Sequence, residues 1–358
     1  MPAERMRSKR IGRLAVSAQV ECWPLRAPFR ITGYTWESIE VLLVRLEHEG
    51  GVGWGEASGV YYRGESPASM IQQIESLRTR IEAGISRDSL QTLLPTGGAR
   101  NALDCALWDL EANLTGRAAW QIADLDRPQP LLTTFTCSAQ SPEKMATAAR
   151  GYQSARAIKI KLTGEPSDAD RVCAVREARP DVWLGVDANQ GFSRHSMERL
   201  MPTLTHARVQ LIEQPFPIGA EALLDGFQCP IPVAADESVQ SLADLQGLAG
   251  RFDVVNIKLD KCGGLTEGLA LVRAARELGL ETMVGNMIGT SLAMAPAFLV
   301  GQLCKVVDLD GPVFLKTDRS APAEYDDGRI SCPERLWGGA ARSVNPARNR
   351  STSLPRME

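Results

Sequence analysis

The chain has 358 residues, 44% hydrophobic and 23% charged, with a formal net charge of −3. This is the make-up of a soluble globular protein, and the charge excludes a general pull toward nucleic acid or an anionic membrane. No apolar run nears the roughly 18 residues of a membrane span. The basic start, MPAERMRSKRIGRLAV, lacks the apolar stretch of a signal peptide. A cytoplasmic location is expected, and the length suggests about two domains.

Eight cysteines are scattered from Cys22 to Cys332 with no CxxC, which predicts reduced thiols, not a disulfide framework. The three histidines, His48, His195 and His206, form no HxH or HExxH. Histidine-rich metal chemistry is therefore not expected.

Residues 11–57 read as strands, with the Glu49-Gly50-Gly51 turn closing a hairpin. Helices follow. Ser66-Pro67 opens the first, as N-cap and first-turn proline. The segment ARNALDCALWDLEANLTG sets Ala102, Leu103, Ala106, Leu107 and Leu110 on one face and stops at Gly116. Residues 1–130 thus predict a small α+β domain.

After Leu131 eight short apolar runs recur, separated by helix-length segments. Their markers, Lys161, Asp187, Glu213, Asp236, Lys258, Asn286 and Asp308, step by 22 to 28 residues. Strands alternating with helices at that spacing predict a parallel (β/α)8-type barrel. A doubly wound open sheet is the alternative, but no GxGxxG follows an early strand. Residues 339–358 are arginine-rich and apolar-poor, which predicts a disordered tail.

Functional groups of such a barrel sit at the C-terminal ends of its strands. Three successive runs end in carboxylates: Asp187 in GVDAN, Glu213 in LIEQP and Asp236 in AADES. Three converging carboxylates repel unless a cation lies between them. Oxygen ligands without histidine or thiolate suit Mg²⁺, with Mn²⁺ as the alternative. In AIKIKL, strand alternation puts Lys159 and Lys161 on one face and Ile158, Ile160 and Leu162 on the other. The lysines then point into the barrel. In VVNIKLDK, Asn256 and Lys258 share a face, and strands two and six of eight stand opposite each other.

A lysine base with Mg²⁺ suits proton removal α to a carboxylate, through an enediolate. The base must be neutral near pH 7, with Lys159, the metal and desolvation lowering its pKa. Two opposed lysines suit racemisation or epimerisation. One alone serves β-elimination or cycloisomerisation equally well.

On these residues the chain resembles the enolase superfamily, whose Lys-or-His base with Mg²⁺ is a known pairing. KIK with a later NIK resembles its muconate-lactonising-enzyme subgroup, and MVGNMIGTSLAMAPA with VDLDGPVFLKTD resembles the dipeptide epimerases. The resemblance implies a modified TIM barrel, (β/α)7β, over 131–316, an α+β capping domain, and a segment 317–338 returning to the cap. It implies Asp187, Glu213 and Asp236 as Mg²⁺ ligands and Lys161 and Lys258 as the acid/base pair. It implies Thr136, Lys159, Asn286 and Ile288 as substrate contacts, and Asp308 and Asp310 as the site for a dipeptide's ammonium. Asn189 and Glu237 would orient the metal ligands. A small dipeptide is the expected partner, and self-association into a homo-oligomer stays open.

The chain departs from the Ala-Glu epimerases at one place. Where those carry an arginine for the glutamate side chain, counting along APFRITGYTWES reaches Tyr34. A hydrophobic or other second residue is then in play, with Tyr61, Tyr62 and Arg63 as further selectivity candidates. The competing readings are an N-acylamino acid racemase or o-succinylbenzoate synthase of the same subgroup, a Schiff-base aldolase, and a non-catalytic binding protein.

Overall fold

A computed structural model describes residues 8–340. The tail read as disordered, 339–358, lies almost wholly outside them. Strands β1 (Ala15–Ile31), β2 (Tyr34–His48) and β3 (Gly51–Ala57) form an antiparallel sheet. The β2–β3 turn rests on Glu49 (φ 46°) and Gly50 (φ 84°). Two left-handed residues are what a tight hairpin needs. Ser66 caps the helix Pro67–Ser76 through a reciprocal box with Ser69.

The helix Gly98–Thr115 packs its predicted face on β2 and β3, with Leu42, Val44 and Leu46 in the same core. The pattern predicts one buried face, yet fourteen of its eighteen residues are buried. The other face is clamped to the barrel. The Asp104 carboxylate accepts from Thr266 N (2.9 Å) and Thr266 Oγ1 (2.6 Å), and Arg100 pairs with Glu267.

Two glycines of β3 let this helix lie close. A Cβ on Gly55 would sit 1.9 Å from the Ala102 carbonyl oxygen, and one on Gly53 2.1 Å from that of Ala106. Backbone cannot yield as a side chain can. Gly55→Ala is expected to cost about 1–3 kcal/mol or more, read as a lowered Tm. An unchanged Tm would contradict this packing.

The second layer is an eight-stranded parallel barrel. After β4 (Leu131–Leu132) its strands are β5 (Thr134–Cys137), β6 (Ala157–Lys161), β7 (Trp183–Asp187), β8 (Leu211–Glu213), β9 (Val233–Ala235), β10 (Val254–Ile257), β11 (Glu281–Val284) and β12 (Val306–Val307). Each pairs with the next, but β12 and β5 share no ladder. Side chains seal that seam instead. Thr134 Oγ1 donates to Asp308, Thr133 Oγ1 accepts from Leu309 N (3.0 Å), and Asp310 accepts from Thr136 N (2.7 Å). No α-helix follows β12 directly, only the 3-10 turn Gly311–Phe314.

Alternation divides the strand residues between two surroundings. Ile158, Ile160, Leu162, Val186, Ile212 and Ile257 join the large core between strands and outer helices. Leu211, Ala234, Val254 and Met283 form a separate apolar plug inside the barrel. Polar residues follow one or two steps further along the same strand faces. An antiparallel pair, β13 (Glu324–Asp326) with β14 (Arg329–Ser331), joins β4 in a small sheet.

Trp337 Nε1 donates to Trp54 O (3.0 Å), and Arg319 pairs with Glu56 (2.6 Å) and Glu21 (2.7 Å). Residues after the barrel thus bond to β1 and β3. The eight cysteines form no disulfide among the described residues. No helix there is long and apolar enough to cross a membrane.

Candidate active site

A cavity of about 430 Å³ opens at the C-terminal ends of the barrel strands, under the capping sheet. Lys159, Lys161, Lys258, Thr136, Asn286, Ile288, Asp308 and Asp310 all line it. Three carboxylates lie behind the lysines. Lys161 Nζ meets Asp187 at 2.6 Å, Lys258 Nζ meets Asp236 at 2.6 Å, and Lys159 Nζ meets Glu213 at 3.0 Å and Asp308 at 2.5 Å. Asp187, Glu213 and Asp236 each offer an oxygen within 4.8 Å of the others'.

These residues fit a divalent cation. Asp187, Glu213, Asp236, Glu237, Asp308 and Asp310 face Lys159, Lys161, Lys258 and Lys261, and all ten are buried. Six carboxylates against four ammonium groups leave the site short of positive charge. Burial and then Asp187 push Glu213 up to about 7. Burial and then Asp236 push Glu237 up to about 8. Glu237 Oε2 and Asn189 Oδ1 are buried without a hydrogen bond. The donor set is all oxygen and is hard enough for Mg²⁺.

The same charges act on the lysines. Burial alone would lower the Lys258 pKa, but Asp236 and Glu213 outweigh it and hold the amine well above its ordinary range. Lys159 is held up likewise by Asp308, Glu213 and Asp187. The protein's own groups thus keep both protonated. A lysine neutral near pH 7 requires the carboxylate charge to be met by a cation.

Asn189 bonds a carboxylate of the triad directly, and Glu237 meets it only through Asn189. Asn189 N donates to Asp187 Oδ1 (2.8 Å), and its amide reaches Glu237 Oε1 (3.4 Å). Four further residues escape sequence reading. Lys261 Nζ holds Asp236 through its carboxylate (2.6 Å) and carbonyl (2.5 Å). Gln214 Oε1 accepts from Asp236 N (2.8 Å) and Ser238 N (3.1 Å). A Cβ on Gly285 would strike Asn256 Oδ1 at 2.6 Å and Lys258 Cε at 3.0 Å, so only glycine leaves those side chains their room. Asp260 is the fourth. The only local signal is polar residues in tight apolar context, as in KLDK and IEQP.

Asp260 accepts from Ser58 N (2.9 Å) and Gly59 N (3.0 Å), tying the capping loop to the short helix Leu259–Cys262 that Lys258 opens. Burial pushes this carboxyl from 3.8 up to about 7. The folded state therefore binds the proton more tightly, and this contribution to stability is lost as pH rises from about 4 through about 7. Asp260→Asn keeps an acceptor oxygen and removes the titration. The variant's Tm minus the wild-type Tm should rise across that window, and a flat difference would contradict it.

Of the selectivity candidates, only Tyr61 lines the cavity. Tyr34 stacks on Trp36 (centroids 5.5 Å apart) and is half-exposed. Tyr62 OH accepts from Gln240 Nε2 at 2.8 Å, and Arg63 reaches Gln240 Oε1 at 3.4 Å. His195 and His206 are exposed on the outer helix Arg194–His206.

Residues 14–123 match the mandelate racemase/muconate lactonizing enzyme N-terminal domain, and 143–338 the enolase C-terminal domain-like family. The chain belongs to this branch of the enolase superfamily. An L-Ala-D/L-Glu epimerase of Escherichia coli is 38% identical over 87% of this chain and 97% of its own. An N-acetyl-D-glutamate racemase of a Pseudoalteromonas species is 38% identical over 81% and 93%. An enolase family member from Agrobacterium tumefaciens, crystallised with sodium and L-Ala-L-Glu, superposes with a TM-score of 0.88 at 39% identity, over 91% of this chain and all of that one. A dipeptide epimerase from Methylococcus capsulatus, complexed with Mg and L-Arg-D-Lys, superposes at 0.85 and 29% identity, over 93% and 99%. The relatives it resembles are epimerases and racemases, that is isomerases, and the acidic triad described above is a group that could hold a metal ion.

Proposed function

We propose that the protein is a Mg²⁺-dependent dipeptide epimerase that inverts the α-carbon of the C-terminal residue of an L-Ala-Xaa dipeptide. The observation that carries this reading is that Lys161 and Lys258, four strands apart in an eight-stranded barrel, open on one cavity with Asp308 and Asp310 at its seam. One lysine takes the α-proton and the other returns a proton to the opposite face. Lys159, which lies against Asp187, Glu213 and Asp308 together, donates to the substrate carboxylate. Asp187, Glu213 and Asp236 would hold Mg²⁺, which when bound offsets the charge that builds on that carboxylate.

Asp310 supports an ammonium site. Burial and then the neighbouring Asp308 push it up to about 6, so a cation beside it is favoured. An N-acylamino acid racemase is the second reading, favoured by the similarity to the N-acetyl-D-glutamate racemase. Asp310→Asn separates the two. It should cut kcat/KM on a dipeptide by roughly 10- to 100-fold, the worth of a charged hydrogen bond, and leave N-acetyl amino acids unaffected. Faster turnover of N-acetyl substrates by the wild type, with no effect of the variant, would overturn the dipeptide reading.

A further inference from the structure

The similarity to L-Ala-D/L-Glu epimerases would put a glutamate in the second position of the substrate. The roof of the cavity argues otherwise. Phe29, Ile31, Trp36 and Tyr61 line it from the capping domain, with Ile288 and Phe314 from the segments that follow β11 and β12. Their rings pack against one another: Phe29 on Phe314 (4.8 Å, edge-on) and Trp36 on Tyr61 (5.1 Å, edge-on). Phe29 belongs to a distinct apolar cluster with Trp23, Leu25, Ile39, Val41 and Leu315.

This roof is strapped in place. Leu25 bridges to Leu315, and Lys316 N donates to Pro24 O (2.9 Å). Further along the chain, Arg30 O accepts from Ala139 N (3.2 Å), and Thr32 Oγ1 donates to Leu162 O (3.2 Å). On the other side Asp260 holds Ser58 and Gly59, three and two residues before Tyr61. The apolar side chains are therefore presented by backbone tied to the barrel at both ends.

Charge points the same way. Among the described residues that line the cavity, the only cations are Lys159, Lys161 and Lys258, and each is paired with a carboxylate on the floor. Glu40 and Glu65 also line it. The Glu65 carboxylate is engaged by Val60 N (2.8 Å) and Gly98 N (3.1 Å), whereas Glu40 is exposed at the rim. A substrate carboxylate directed at this roof would lose water and meet hydroxyls but no cation beyond the paired lysines of the floor.

We infer that the second side chain of the substrate is bulky and apolar, aromatic or branched aliphatic, and seats against Phe29, Ile31, Trp36, Tyr61 and Phe314. This rests on the dipeptide reading above. The Mg²⁺-loaded full chain is given L-Ala-L-Phe, L-Ala-L-Leu, L-Ala-L-Glu and L-Ala-L-Lys, and kcat/KM is read for each. Phenylalanine and leucine should exceed glutamate and lysine by roughly 10²-fold. Trp36→Arg, which adds a cation to the roof, should move the Phe-to-Glu ratio at least tenfold toward glutamate. Glutamate or lysine equal to phenylalanine in the wild type overturns the apolar assignment and spares the epimerase. No turnover of any dipeptide overturns both.

Discussion

Lys258→Ala is expected to lower epimerisation by roughly 10²–10⁴-fold, the span of one general acid or base, without abolishing proton chemistry. Lys161 would still exchange the α-proton of the one epimer whose C–H faces it. Lys161→Ala should show the mirror image, with exchange confined to the other epimer. The basis is that each lysine closes on its own carboxylate, Asp187 or Asp236, so removing one leaves the other's setting intact. Deuterium incorporation, followed separately from the L and D epimers, reads this out. Exchange lost from both epimers in either variant would mean that one lysine does not act alone on one face.

The second large effect concerns the metal. Glu213→Gln should abolish Mg²⁺-dependent activity and weaken Mg²⁺ binding by more than the 10- to 100-fold typical of losing a supporting group. Glutamine keeps the shape: its one oxygen still accepts from Lys159, which bonds Glu213 Oε2 at 3.0 Å, and Asn256, which now donates to Oε1 at 2.7 Å, can turn its unbonded Oδ1 to accept from the new amide. Folding should therefore survive. In the wild type, Mg²⁺ at about 100 times its Kd should add about 2.7 kcal/mol of stability, seen as a rise in Tm that EDTA reverses. The variant should show little of that rise. A full rise in Glu213→Gln would place the cation elsewhere.

Much of this site is legible in the chain because strand alternation and strand-end chemistry are local. AIKIKL alone assigns its isoleucines to the wall and its lysines to the interior, and the structure places them so. The spacing of Asp187, Glu213 and Asp236 follows from the repeat of the βα unit. Other features depend on segments far apart in sequence. Lys261 is an unremarkable helix residue until Asp236 folds against it. Gly285 looks like a turn glycine, but its role is the space it leaves Lys258. The barrel seam between β12 and β5 is closed by side chains, which no periodicity records. The protonation of Lys258 is set in the same way. The count of carboxylates around it emerges only in three dimensions. Tyr34 is the right stretch but the wrong neighbour, since Trp36 and Ile31 line the cavity beside it.

The most direct measurement is α-proton exchange in D₂O, followed by NMR on the Mg²⁺-loaded protein with a library of L-Ala-Xaa dipeptides. Deuterium should enter the α-carbon of the C-terminal residue, with the second epimer appearing alongside it, and EDTA should stop both. Exchange of N-acetyl amino acids with none from any dipeptide would contradict the account.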